Sequence, residues 1–180
     1  HLEMQIEDIS KKISDLMSDQ EDLLNRIKEI PGIGDVTAQA IVSEIGPTLN
    51  AFEKAEQLAS WAGLCPGNNE SAGKRRSGRS PVRGKPIKTI MVEVAWGAIK
   101  KKGSYYKDKY YKLKSRIGAK KAIIAIAHRL LKAIFYIIKY GQQFKDLGEN
   151  YLDLKNKSRK IYVLKRQAEL LGYHLIALTE

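Results

Sequence analysis

Apolar residues recur every three to four positions through the first thirty residues. With Ile6 at position a of a heptad, the seam runs Ile6, Ile9, Ile13, Leu16, Gln20, Leu23, Ile27 and Ile30, broken only by Gln20. A seam of this length predicts a long N-terminal coiled-coil helix, paired within the chain or between chains. Gln20 would set register or partner number at some cost in stability. Met17 and Leu24 widen the apolar face, which also suits an amphipathic helix lying on its own domain.

The pattern then changes. Residues Ile27–Gly46, IKEIPGIGDVTAQAIVSEIG, read as a helix, a Pro-Gly-Ile-Gly turn and a second helix entered through Asp35. Gly32 and Gly34 permit a tight turn whose backbone N–H groups surround the start of that second helix, a place suited to a phosphate oxygen. Packing against protein is the alternative, since no basic residue lies between Asp35 and Gly46. Phe52–Leu64 reads as a short helix with Trp61 in the core, and Cys65-Pro66-Gly67 turns the chain into a polar loop. A helix resumes over Ile87–Lys101, with Ile90, Val94 and Ala98 on one face, and Gly103 ends it. Lys102–Arg116 sets Tyr105, Tyr106, Tyr110 and Tyr111 among lysines. Gly118–Tyr140 is the longest buried helix, stopped by Gly141. Lys155–Gly172 reads as an exposed amphipathic helix, and Tyr173–Leu178 as a short strand or docking segment.

The expected fold class is therefore mainly α. A coiled-coil or dimerisation helix spans 1–30 and a compact helical domain spans 31–145. That domain contains a helix-hairpin-helix at 27–46 and a basic serine loop at 66–86. A helical tail follows over 146–180. The lone Cys65 excludes an intrachain disulfide and points to a reducing compartment. No apolar run reaches membrane-span length, because His128, Arg129, Lys132 and Lys139 interrupt Ala122–Tyr140. The opening HLEM lacks a signal-peptide layout and reads as a stub ahead of Met4. Three scattered histidines and one cysteine make no zinc site.

Charge sharpens the picture. The net +12 is spread unevenly: −4 over residues 1–30, −4 over 31–70, +15 over 71–121 and +5 over 122–180. The third segment fits a polyanion, and nucleic acid is the commonest such partner; a solvated basic loop is the plain alternative. Its densest part, GNNESAGKRRSGRSPVRGKPIK over 67–88, embeds Ser71 before Ala72 and Gly73. Small residues there leave the backbone bare, so that a phosphodiester can approach. Lys74, Arg75, Arg76 and Arg79 can neutralise its nonbridging oxygens. Ser77 and Ser80 compete as nucleophiles but lie farther from the Ala-Gly pair. The four tyrosines fit stacking or packing groups beside a nucleic-acid backbone better than nucleophiles. His128 fits a structural histidine better than a general base. Asp35, Glu44, Glu53, Glu56 and Glu70 show no spacing that would gather a metal ion.

Taken in order, several stretches resemble the C-terminal half of the insertion-sequence transposases related to the Piv DNA invertase, the bridge-RNA-guided DEDD recombinases. They are IPGIGDVTAQAIVSEIG, FEKAEQLASWAGLCP, ESAGKRRSGRSPVRGKPIK, TIMVEVAWGAIKKKGSYY and GAKKAIIAIAHRLLKAIFYIIKYG, together roughly Ile30–Gln142. The resemblance implies a covalent serine nucleophile at Ser71, a phosphoserine link to DNA, and strand exchange. Nucleic-acid contacts are expected from Lys74, Arg75, Arg76, Arg79, Arg83, Lys85, Lys88, Gly32 and Gly34. Lys88 stands where the family often has Arg, and holds phosphate as a point charge rather than by a fork. The resemblance also implies a preceding RuvC-like domain that holds Mg2+ through four acids, with no cofactor in this chain and this piece inactive alone. DNA, a structured guide RNA and a homodimer or higher homo-oligomer formed through the coil are the implied partners, with no membrane. The implied setting is a prokaryotic cytoplasm, at the nucleoid. A non-catalytic nucleic-acid-binding or oligomerisation module is the rival expectation.

Overall fold

The N-terminal seam divides. In the computed structural model, which describes residues 1–66, 69–71, 74–77, 85–174 and 176, helix α1 covers Leu2–Leu16 and buries no residue. The chain leaves the helix at Met17 (φ −105°, ψ 12°), makes one 3-10 turn at Ser18–Gln20, and restarts as α2, Glu21–Lys28. Leu23, Leu24 and Ile27 of α2 and Ile30 beyond it are buried in the domain core. The single long helix expected over 1–30 is thus two helices, and only the first half of its seam faces solvent. Leu24 explains the break. It lies off the seam and shares the core with Leu23 and Ile27, so α2 packs as a globular helix would, over a wide face. Ser18 and Asp19 have low helix propensity and tolerate the change of axis.

The domain then follows its periodic pattern. Helix α3 spans Asp35–Ile45 and α4 spans Ala55–Trp61. A two-stranded antiparallel ladder, β1 (Asn69–Ser71) with β2 (Lys74–Ser77), interrupts the helices. After it come α5 (Pro86–Ala98), α6 (Tyr105–Ile117), α7 (Ala119–Tyr140) and α8 (Tyr151–Leu170). Helix α7 is the axis, since α4, α5 and α6 all pack against it, while α3 bridges α2 and α5. Its buried stripe includes Ile126, Leu130, Leu131, Ile134 and Phe135, spaced as a core-facing helix requires.

Two expectations change. Tyr105, Tyr106 and Tyr110 are buried and only Tyr111 is exposed, so three of the four are packing residues rather than a stacking surface. Tyr105 and Tyr106 meet edge to face, Tyr105 meets Tyr151 likewise, and Tyr106 stacks on Phe144. The polar stretch at 66–86 is not wholly loop, because it contains the β1–β2 ladder. After α7 the chain returns along α6, where the Asp146 carboxylate accepts from the N–H groups of Tyr105 (2.9 Å) and Gly148 (3.1 Å). Helix α8 is mostly exposed, as expected, with Tyr151 and Leu152 half-buried against the core, and begins four residues earlier than Lys155. Most of the predicted segment Tyr173–Leu178 lies outside the described residues. No helix among the described residues is long and apolar enough to cross a membrane.

Candidate nucleic-acid interface

Ser71 ends β1, and the backbone register sets it opposite Lys74, with Glu70 opposite Arg75 and Asn69 opposite Ser77. A register shift between Asn69 and Glu70 marks a bulge, a device common beside functional sites. The described ladder closes at the Ser71–Lys74 pair. Ser71, Lys74, Arg75 and Arg76 therefore belong to one hairpin. Arg79, Arg83 and Ser80 lie outside the described residues.

Both flanks of this segment are tied to the core. Leu64 before it and Ile87 after it are buried. Lys85, the N-cap residue of α5, places its Nζ 3.7 Å from the centre of the Trp61 ring, a cation–π contact. Trp61 in turn meets Phe52 edge to face. Lys85 is thus engaged as an anchor between α4 and α5. Lys88 is half-buried in the first turn of α5. Pro86 occupies N1, where its fixed φ and missing N–H suit a helix start.

Gly32 and Gly34 have separate surroundings. Gly32 (φ +89°) lies against the second half of α5: a Cβ on it would come 2.7 Å from the Val94 carbonyl oxygen. A Cβ on Gly97 would come 2.8 Å from the Gly32 Cα, so two glycines allow turn and helix to touch backbone to backbone. Lys88 and Val94 are six residues apart, roughly 9 Å along the axis. Gly34 has no atom near its would-be Cβ and caps α3 in extended conformation. The first residue of α3 is an acid, Asp35, whose Oδ1 lies 2.7 Å from Lys28 Nζ. The Lys28 hydrogen bond and charge hold the Asp35 carboxyl below its usual range, so a carboxylate already occupies the positive end of α3. Packing on α5 is the directly visible task of this turn.

Other reactive groups lie apart from the hairpin or are chemically muted. Burial pushes the Tyr106 phenol up to about 12, and raises Tyr105 as well, so neither supplies a tyrosinate near neutral pH. Burial, then Lys132 and Arg129, hold the half-buried His128 below its ordinary value, which leaves it a neutral imidazole. Lys132 pairs with Glu56 and joins α7 to α4. Burial raises the Cys65 thiol. Among the described residues no group of three or more His, Cys, Asp or Glu side chains could hold a metal ion.

A second set of cations was not singled out among the candidate site residues. Lys114 and Arg116 at the end of α6, with Lys120 and Lys121 at the start of α7, are all exposed. Their signal was present in the charge of residues 71–121, but a helix junction concentrates them in a way that composition does not reveal. Burial, with Arg129 and Arg116 next, lowers the Lys109 ammonium pKa nearby.

The chain was compared with known proteins against this geometry. No curated protein matches it. Residues 24–112 match the model of the transposase IS116/IS110/IS902 family. That span runs from α2 through the docked turn and the serine-bearing hairpin into α6. This part of the chain, just under half of its length, is similar to that transposase family.

Proposed function

We propose that this chain is the DNA-binding and strand-exchange part of such a transposase, with Ser71 as the nucleophile of a DNA transesterification. The observation that carries the proposal is the place of Ser71, at the turn of a basic hairpin and in register with Lys74. In the reaction, Ser71 Oγ forms a bond to phosphorus while the bond from phosphorus to one deoxyribose oxygen breaks. The serine proton goes to that leaving oxygen. One phosphoester replaces another, so a second strand's hydroxyl can later attack the phosphoserine and rejoin the DNA. Lys74, Arg75, Arg76 and Arg79 would balance charge on the nonbridging oxygens, with Arg83 and Lys88 on neighbouring phosphates. Lys85, stacked on Trp61, would steady the hairpin's exit.

Mg2+ in a RuvC-like domain, a structured guide RNA and a homo-oligomer are parts of the same proposal, and rest on the sequence resemblance. The described residues of this chain do not fit a metal site, and no step here is routed through one. The test is covalent trapping with the full-length recombinase, magnesium, guide RNA and a suicide DNA substrate, as wild type, Ser71→Ala, Ser77→Ala and Ser80→Ala. An adduct lost only in Ser71→Ala is the expected result. An adduct that survives in Ser71→Ala moves the nucleophile elsewhere. No adduct in any sample, with DNA binding intact, leaves a non-catalytic binding module.

A further inference from the structure

We infer that α8 carries a second heptad seam and that this seam receives α1 from a second copy of the chain. The inference rests on the proposed oligomer and names the surfaces that form it. On α1, Leu2, Ile6, Ile9, Ile13 and Leu16 occupy successive a and d positions and are all exposed. On α8 and its C-cap, Leu154, Lys157, Ile161, Leu164, Ala168 and Leu171 repeat the same spacing. Leu154, Ile161, Leu164 and Leu171 are exposed there. Large apolar side chains lined up along two helices, each without a buried residue, mark surfaces that another body covers. Within one protomer, α8 meets the domain near its start, through Tyr151 against Tyr105 and through Asp153, 2.6 Å from Lys112.

Charge selects the occupant. The two seams span about 21 Å and 25 Å at 1.5 Å per residue, a near match. Helix α1 has four acids against two lysines, whereas α8 has six cations against two acids; pairing α1 with α1 would set like charge along both flanks. Pairing α8 with α8 would bring two Lys157 side chains into the seam and set like charge along both flanks. Pairing α1 with α8 joins opposite net charge. A two-fold axis repeats the contact, α1 on the partner's α8 and the reverse, which closes a dimer.

The test uses the full chain in a Cys65→Ser background, with Ile9→Cys and Ile161→Cys on separate chains, because these positions lie mid-seam and meet in either helix direction. Mixed under mild oxidation, the two should give a mixed disulfide dimer in several-fold excess over either homodimer. A dominant Ile9→Cys homodimer would mean α1 pairs with α1, a dominant Ile161→Cys homodimer that α8 pairs with α8, and no dimer that neither seam pairs. Each of these overturns the inference. Without cross-linking, Ile9→Glu and Ile161→Glu should each weaken dimerisation at least tenfold by analytical ultracentrifugation, with helical content unchanged because both side chains are exposed in the protomer. A dimer that ignores Ile161→Glu also overturns it. DNA affinity measured on the same samples separates the outcomes: DNA binding without a dimer refutes only the pairing, and a dimer without DNA binding refutes only the functional proposal.

Discussion

Alanine at Gly32, Gly97 and Gly34 tests whether the hairpin turn is docked on α5 or stands free. A Cβ on Gly97 would lie 2.8 Å from the Gly32 Cα, and one on Gly32 would lie 2.7 Å from the Val94 oxygen and 2.9 Å from the Ala98 nitrogen. These neighbours are backbone atoms that cannot swing aside, so turn or helix must shift. Overpacking of this kind costs about 1–3 kcal/mol. At Gly97 the better helix propensity of Ala returns about 1 kcal/mol, leaving a net loss of about 1 kcal/mol. At Gly32 the positive φ of +89° adds about 1–2 kcal/mol for any residue with a Cβ, for a total of about 3 kcal/mol. Gly34 has an ordinary φ of −104° and open space around it, so alanine there costs only a weaker N-cap, about 0.5 kcal/mol. For a chain of this size each kcal/mol lowers Tm by roughly 2–4 °C. Thermal melts followed by circular dichroism should therefore rank Gly34→Ala, Gly97→Ala and Gly32→Ala in order of falling Tm, with Gly32→Ala lower by roughly 10 °C. A Gly32→Ala protein as stable as wild type, or Gly34→Ala as the least stable of the three, would refute the docked turn. Weaker DNA binding by a fully stable Gly34→Ala would assign the open side of the turn to phosphate.

Two further predictions concern the anchors. Burial raises the Asp146 carboxyl, but the N–H donors of Tyr105 and Gly148 prevail and hold it below its usual value. Its contribution to stability is therefore present above the ordinary carboxylate range and is lost as pH falls through the depressed folded value. Asp146→Ala should lose about 1–2 kcal/mol near pH 7, allowing for partial solvent screening, and the gap to wild type in urea unfolding should narrow in acid; a gap that is constant with pH would remove the ionised carboxylate from the explanation. The Lys85–Trp61 contact should show a coupling of about 0.5–1 kcal/mol in a double-mutant cycle of Lys85→Ala and Trp61→Leu. Strict additivity would mean that Lys85 is free to serve DNA.

How much was legible in the chain depended on what each signal can encode. The segment predicted at Gly118–Tyr140 is α7 almost to the residue, because a long apolar period ended by glycine leaves little choice. The second helix of the hairpin begins at Asp35 as expected. A heptad seam, by contrast, states which side chains point together and not what they meet. Leu23, Ile27 and Ile30 keep perfect a/d spacing while facing their own domain, and the off-seam Met17 and Leu24 were the signal of it. Lysines around Tyr105, Tyr106 and Tyr110 hid an apolar face in a segment that composition marks as basic. The β1–β2 ladder has no alternating apolar residues, so period-two reasoning had nothing to detect. Helix α8 was recognised as amphipathic, but Lys157 inside its seam obscured the heptad. The contact between Gly32 and Gly97 joins distant parts of the chain and has no local signature.

These differences bear on where chemistry can happen. A nucleophile for DNA must reach a phosphate that stays largely hydrated and cannot enter a helical core, so it belongs on an element that the core holds at both ends. The tyrosines fail this requirement. Tyr105, Tyr106 and Tyr110 are buried, and burial suppresses the phenolates of Tyr105 and Tyr106. The segment that carries Ser71 leaves the core at buried Leu64 and rejoins it at buried Ile87, with Lys85 laid on Trp61. Ser71 is paired across the strands with Lys74, three residues further along the chain. In the proposed reaction that backbone register would bring the Lys74 charge to Ser71, and a one-residue slip would undo it. Lengthening the link between Ser71 and Lys74 by one residue is therefore a sharper challenge to the proposed nucleophile than loss of any single arginine. It leaves every candidate side chain in place and alters only their alignment.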